Sequence, residues 1–227
     1  MREQPPTTDW TAISQAKGLP DAHAVRRDCL SALAEKYHEP VRAMMRAWGL
    51  RDEHDLDDAV QTFFLDFLEK NWLDMLARGK GRFRGFLRTS INHFLINRKR
   101  RARPPMASLP DDDLVPSGEP TPEQTFDRTW ARQIVDRALA DFRTECAERD
   151  LPHYWTAFER HVLDESCLSP TVRETAELLG VAPKDAANYL YRARTRFAEL
   201  VREAVGRTVN GPAGDIRDEM ECLRRSL

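Results

Sequence analysis

The 227-residue chain lacks long apolar runs, and no segment approaches the roughly 18 consecutive apolar residues that a bilayer-spanning helix needs. No apolar stretch follows the first residues, so the sequence predicts neither a secretory signal nor membrane insertion. The four cysteines are far apart, which predicts reduced thiols in a cytoplasmic protein. The spacing of Cys146, His153, His161 and Cys167 matches no common zinc motif, so we expect no metal or other cofactor.

Enzyme motifs are absent as well. The chain has no Gly-rich phosphate loop and no Ser-His-Asp order, so the sequence predicts a protein that is not an enzyme. It contains only 10 glycines, and apolar residues almost never alternate with a period of two. Apolar residues recur instead with the 3.6-residue period of an amphipathic helix. The sequence therefore predicts an all-α fold.

Acidic residues are missing from residues 78–103, although the same segment holds ten Lys or Arg residues. The net charge of the whole chain is only −2, so this positive charge is local. Phe83, Phe86 and Phe94 lie among the basic residues. Cations that meet phosphates and rings that stack on bases suit a nucleic-acid strand. The alternative is a solvated basic helix face.

The clearest predicted helix precedes this basic segment. Its apolar residues follow the spacing i, i+3, i+4, i+7, i+8, i+11, i+12 of a buried stripe, namely Leu56, Ala59, Val60, Phe63, Phe64, Phe67 and Leu68. The opposite side of the helix carries Asp55, Asp58, Thr62, Leu65, Asp66 and Glu69. The basic segment is predicted to form one more helix, over about 82–101.

Residues 104–125 contain six prolines and five acids, which predicts an extended linker. Thr121 to Gln124 then have a capping-box pattern with proline at the first helical position. The predicted organisation is an N-terminal extension, a first helical domain, a linker, a second helical domain and a C-terminal extension, over residues 1–24, 25–103, 104–121, 122–206 and 207–227.

The second domain contains helix-turn-helix spacing. Thr171 and Glu174 form another capping-box pattern, Ala176 is small where two helices cross, Gly180 permits a tight turn, and Pro183 opens a long helix. An ordinary pair of antiparallel helices is the alternative. The outward positions of the second helix are Lys184, Asp185, Ala187, Asn188 and Tyr191, and the cations Arg192, Arg194 and Arg196 follow near enough to reach phosphates.

The C-terminal extension shows a shorter apolar pattern. Ile216, Met220, Leu223 and Leu227 follow i, i+4, i+7, i+11, which predicts a short amphipathic helix. Such a helix packs on the second domain or binds a regulator, and simple packing is the preferred interpretation.

Taken together, the two domains resemble the sigma-70 family of bacterial transcription initiation factors, in its short extracytoplasmic-function group. The resemblance covers about residues 25–206. Its motifs are DLDDAVQTFF at 55–64, FRGFL at 83–87, NHFL at 92–95 and the helix-turn-helix at 180–196. The first domain is similar to sigma region 2, the second to region 4, and the linker to the segment that replaces region 3.

The resemblance implies that one face of the helix after residue 54 docks on the β′ clamp of RNA polymerase core, while the second domain contacts the β flap. The clamp-binding residues would be Asp55, Asp57, Asp58, Gln61, Thr62 and Leu65. The residues themselves agree with this, because an acidic face with one stray apolar side chain suits a basic partner surface. A solvated acidic face is the alternative.

The resemblance also implies contacts with promoter DNA. The basic helix would face the −10 element, and loop residues 73–82 would help to hold a flipped base. The helix-turn-helix would read the −35 element in the major groove, and the linker would thread the polymerase channel. The −10 contacts would be Arg82, Phe83, Arg84, Phe86, Arg88, Asn92, His93, Asn97, Arg98, Lys99, Arg100 and Arg101.

Two positions depart from the family pattern. Thr62 stands where the family usually has Asp or Glu, so it is either a neutral substitution or a candidate phosphorylation site. Asp185, Ala187 and Asn188 replace the more usual basic or hydroxyl residues, which is compatible with either a specific or a weak −35 preference. Many relatives are held inactive by an anti-sigma protein, and the linker would allow one, but the sequence identifies no such partner.

The leading hypothesis is therefore a dissociable promoter-specificity subunit without chemistry of its own. The second is a stand-alone helix-turn-helix regulator, which would need neither the acidic face nor the acidic linker. The third is a helical adaptor that binds only proteins, and the ten-residue basic cluster argues against it.

Overall fold

The computed structural model describes residues 22–69, 83–102, 119–164, 170–208 and 213–227. Within these ranges the regular elements are helices and no strand is present, which confirms the all-α prediction. The helices are α1 (Ala22–Ala47), α2 (Glu53–Glu69), α3 (Phe83–Ala102), α4 (Pro122–Glu148), α5 (Pro152–Phe158), α6 (Val172–Leu179), α7 (Pro183–Gly206) and α8 (Ala213–Ser226), and a π-helical turn, Glu159–Leu163, continues α5.

Helix α2 packs on α1, and five of the seven residues of its predicted stripe are buried, whereas Phe64 is half-buried and the Leu68 side chain is outside the described part of the structure. Leu56, Ala59, Val60, Phe63 and Phe67 are all at most 4% exposed. The Asp52 carboxylate accepts a hydrogen bond from the backbone N–H of Asp55 at 2.9 Å and caps the start of α2. Gly49, at a φ of +112°, makes the turn between the two helices.

Helix α3 also packs on α1, and its buried side carries Phe83, Leu87, Ile91 and Leu95. The Phe83 ring meets the Tyr37 ring edge to face, with 5.0 Å between centroids. Aromatic pairs of this geometry stabilise a core beyond the area that they bury. The face of α3 that holds these residues is therefore fixed against α1.

The chain divides into two compact units at positions that differ from the predicted domain boundaries. The first unit comprises the described residues up to Arg132 together with Gly206–Leu227, and the second is Gln133–Val205. The sequence analysis assigned residues 122–206 to the second domain and 207–227 to an extension. In the first unit, buried Phe126 of α4 stacks on Tyr37 at 6.5 Å, and Glu219 of α8 is buried against Arg84.

The second unit contains α6 and α7, the two helices of the predicted helix-turn-helix, joined by a short turn. Thr171 and Glu174 form both hydrogen bonds of a capping box, and Gly180 ends α6 in the left-handed region at a φ of +65°. Ala176 and Ala186 are both buried. The cap, the turn and these small buried residues therefore lie at the positions that the sequence predicts for them.

Candidate nucleic-acid and protein interfaces

The six residues predicted for polymerase binding lie on one exposed side of α2. Asp55, Asp57, Asp58, Gln61 and Thr62 are exposed, and Leu65 exposes 51% of its surface. Asp55 forms an ion pair with Arg98, and Asp57 forms one with Arg42 at 3.1 Å. Among the described residues Asp58 has no ion-pair partner, so its charge is available to a binding partner.

An apolar groove lies beside these acids. His38, Asp57, Val60, Gln61, Phe64 and Leu65 line a cavity of about 390 Å³. Its lining combines three apolar side chains with a carboxylate and an amide. A groove of this kind suits a partner that supplies an apolar side chain together with a cation. The structure thus places an apolar contact surface within the acidic face.

Helix α3 divides the predicted −10 contacts into a buried group and an exposed group. Phe83 is in the core, and Arg84 is 5% exposed. The Arg84 guanidinium donates to Glu219 Oε2 at 2.8 Å, forms an ion pair with Asp127, and lies over the Trp130 ring at 4.7 Å. Burial lowers the pKa of Arg84, but the hydrogen bond to Glu219 and the nearby charges of Glu219 and Asp127 together outweigh burial and the pKa is raised, so the residue stays charged.

Two further predicted contacts are held by acidic residues of α4. Arg88 Nη1 donates to Asp127 Oδ2 at 2.6 Å. Asn92 accepts a hydrogen bond from Trp48 Nε1 at 3.2 Å and donates to Glu123 Oε1 at 2.8 Å. Partial burial raises the pKa of Glu123, but the hydrogen bond from Asn92 and others lower it below its usual value, so the carboxylate stays ionised.

The opposite side of α3 is open. His93, Asn97, Lys99, Arg100 and Arg101 are exposed, Arg98 and Phe86 are half-buried, and Arg82 lies outside the described residues. Two further exposed residues, Thr89 and Ile96, share this side, because the spacing 89, 93, 96, 100 follows i, i+4, i+7, i+11. We call Thr89, His93, Ile96, Asn97 and Arg100 the outward stripe.

Residues of α7 show a similar division. The outward positions Lys184, Asp185, Ala187, Asn188 and Tyr191 are all exposed, as are Arg192 and Arg194. Arg196 is instead half-buried, and its guanidinium donates to Glu145 Oε2 at 2.9 Å and to Glu199 and Glu203 at 3.1 Å. The hydrogen bond from Arg196 is the largest cause that lowers the pKa of Glu145. Arg196 therefore ties α7 to α4 within the second unit.

The internal partners Asp127 and Glu219 are the residues that the sequence analysis missed. A signal for Glu219 exists, because Ile216, Glu219, Met220 and Leu223 follow i, i+3, i+4, i+7, so that a carboxylate occupies a core position of α8. Arg84 similarly lies on the buried side of α3, three residues before the buried Leu87. A charged residue within an apolar stripe predicts a buried ion pair.

Among the described helices none is long and apolar enough to cross a membrane. In the same residues no cluster of His, Cys, Asp or Glu is arranged to hold a metal ion, and Cys167, whose spacing matched no zinc motif, lies outside them. No model of a known protein family matches the chain, and no solved structure matches it at a significant level.

Proposed function

We propose that the protein is an alternative sigma factor of the extracytoplasmic-function group. It binds RNA polymerase core, recognises −35 and −10 promoter elements and promotes DNA melting. The observation that carries the proposal is the exposed face of α2, where all six residues predicted for the clamp are exposed and three of them, Asp57, Gln61 and Leu65, line an apolar groove. Exposed apolar surface rimmed by polar groups is typical of a protein-binding site.

The DNA contacts of this proposal are assigned to the open surfaces. The outward stripe, with Arg98, Lys99 and Arg101, contacts the −10 element, because these side chains reach the surface of α3 and no acidic residue lies among them in that helix. The exposed positions of α7 contact the −35 element in the major groove. Arg84 and Arg196 are held by internal carboxylates, and with these partners in place they are not available as DNA contacts.

A stand-alone helix-turn-helix regulator is the second candidate. The observation that favours it is that the capping box, the Gly180 turn and the outward face of α7 all lie within the second unit. A regulator of this kind would bind duplex DNA without polymerase, and the exposed face of α2 would have no role.

Abortive transcription distinguishes the two candidates. Purified core polymerase, with and without the protein, is supplied with a pool of bacterial promoters, and short transcripts are mapped to their start sites. Initiation from a subset of promoters only when the protein is present supports the sigma factor. No initiation, together with no binding to core in a pull-down, supports the regulator. Binding to core without initiation indicates a missing activation step, for which Thr62 is the first candidate.

Replacing Thr62 tests that step. Thr62 is exposed beside Asp58 on the clamp-binding face, and a phosphate there would add a charge of about −1.5 to −2. If phosphorylation activates, Thr62→Glu binds core polymerase more tightly than Thr62→Ala, measured by fluorescence anisotropy of labelled protein. Thr144→Glu, at an exposed position of α4, controls for added charge. Equal core binding by Thr62→Ala and Thr62→Glu would eliminate the phosphorylation hypothesis.

Neutralising Arg98, Lys99 and Arg100 should weaken open-complex formation and flatten its salt dependence. Each lost phosphate contact removes about 0.7 from the slope of log K against log salt for a single strand. The measurement is potassium permanganate footprinting over a salt series. Replacing Arg128, Arg132 and Arg137, which are exposed on α4, removes the same charge and should leave the slope nearly unchanged. An unaltered slope in the α3 variant would count against the DNA assignment.

A further inference from the structure

One side of the basic helix α3 contacts three carboxylates. All three come from helices that follow α3 in the chain. Glu123 and Asp127 come from the first turns of α4, and Glu219 comes from α8. We call these three residues the acidic latch. Their partners are Asn92, Arg88 and Arg84, all of which the sequence analysis assigned to DNA.

Burial of the latch increases along α3 toward its N-terminus. The side chains of Arg84 and Glu219 are 5% and 2% exposed, whereas Arg88 is 31% exposed against 14% for Asp127. The Arg84–Glu219 ion pair is therefore shielded from water, whereas the Arg88–Asp127 ion pair is partly exposed to solvent. Opening can begin at the solvated end, where water replaces the lost hydrogen bonds.

The acidic latch is held by ion pairs, which another anion can replace, and not mainly by apolar packing. Apolar residues of similar volume usually hold two helices at least as firmly as a buried ion pair does. An ion pair differs in that another anion can compete for the cation, and a phosphate matches the two-pronged geometry of a guanidinium as a carboxylate does. A helix as short as α8, 14 residues, is also marginal unless it is packed.

We propose that the acidic latch is an autoinhibitory contact, in which the carboxylates of α4 and α8 occupy cations of α3 that a DNA strand otherwise binds. This inference rests on the proposed DNA-binding role of α3. The closed form binds DNA only through the outward stripe together with Arg98, Lys99 and Arg101. The open form adds Arg88 and then Arg84, and releases α8 from the first unit.

Hydrogen exchange on the intact protein tests the competition. Amide exchange in residues 213–226 is followed by mass spectrometry with and without a 30-nucleotide single-stranded DNA at low salt. Competition predicts that DNA speeds exchange in α8 at least threefold while it slows exchange in α3. Unchanged or slower exchange in α8 with DNA bound overturns the proposal, and so does a failure to bind DNA.

A pair of matched variants gives a second test. Glu219→Gln removes a latch charge, whereas Glu221→Gln removes an exposed charge from the same helix. Glu219→Gln should bind the oligonucleotide about threefold to tenfold more tightly than Glu221→Gln and with a steeper salt slope, by about 0.7 per cation freed. Equal affinity and slope overturn the proposal. If Glu219→Gln does not fold, the exchange measurement on the native chain decides.

Different results would refute the proposed sigma-factor function and the acidic latch. Both tests use DNA alone, so a protein that never binds core polymerase can still show latch opening. Conversely, protein-dependent initiation combined with a static α8 would support the sigma factor and refute the latch.

Discussion

Replacing Glu219 with alanine is expected to lower the free energy of unfolding of the first unit by about 3–5 kcal/mol, the range for removing one partner of a buried ion pair. The loss is large because the Arg84 guanidinium, at 5% exposure, would keep its charge without its bidentate partner. Burial, the largest cause, raises the pKa of the neighbouring Tyr37 and persists without Glu219, so its phenol cannot replace the lost anion. Urea denaturation followed by tryptophan fluorescence measures the change.

The control for this prediction lies two residues away. Glu221 pairs with Arg225 at 2.9 Å with both side chains exposed, so Glu221→Ala should cost only about 0.5 kcal/mol. The double variant Arg84→Met with Glu219→Leu should recover most of the stability, because it removes both charges and fills the space. If Glu219→Ala is no less stable than Glu221→Ala, the ion pair does not hold α8 on the first unit.

Elements fixed by local chemistry could be predicted from the sequence. The buried stripe of α2 follows from its spacing, since Leu56, Val60 and Phe63 recur on one side of a helix whatever lies against them. The turn at Gly180 and the cap at Thr171 follow from backbone and side-chain geometry within four residues. These features need no knowledge of distant partners.

The division of the basic helix could not be predicted in the same way. Arg84 and Arg100 have the same charge and lie in the same segment, yet Arg84 is buried and Arg100 is exposed. The partners of Arg84 are 43 and 135 residues away in the chain, so local sequence carries no information about them. Only the apolar register around Arg84 and Glu219 indicates burial.

The same reasoning explains the placement of α8. Its apolar residues predicted an amphipathic helix, and Leu223 is indeed 3% exposed, but Leu227 remains 71% exposed. The sequence analysis preferred packing on the second domain, whereas α8 is grouped with the first unit. An apolar stripe indicates that a helix is packed but not on which surface. The Arg84–Glu219 ion pair is one contact that joins α8 to the first unit, and it involves residues far apart in the chain.

Replacing Leu65 on the exposed face of α2 should weaken binding to core polymerase by about tenfold or more. Leu65 exposes 51% of its surface and borders the groove lined by Val60 and Phe64, so it is placed to be buried by the partner. A minority of interface side chains, clustered near the centre, cost more than about 1 kcal/mol when truncated; we expect Leu65 to be one of them, and 1.4 kcal/mol corresponds to about tenfold in Kd. Leu65→Ala should leave the fold intact, because the side chain is half exposed. Anisotropy titration of labelled protein with core measures the affinity.

Charge reversal at Asp58 tests the same face of α2 through its charge, as Leu65→Ala tests it through its apolar surface. Asp58 has no ion-pair partner among the described residues, so Asp58→Arg disturbs no internal contact while it reverses the charge presented to a basic surface. Asp136→Arg, at an exposed position of α4, and Leu227→Ala, at the exposed end of α8, are the matched controls. Asp58→Arg should lower the association rate and its salt dependence, whereas Leu65→Ala should raise the dissociation rate. Normal core affinity in both variants would exclude this face of α2 from the polymerase interface, even if the protein initiates transcription.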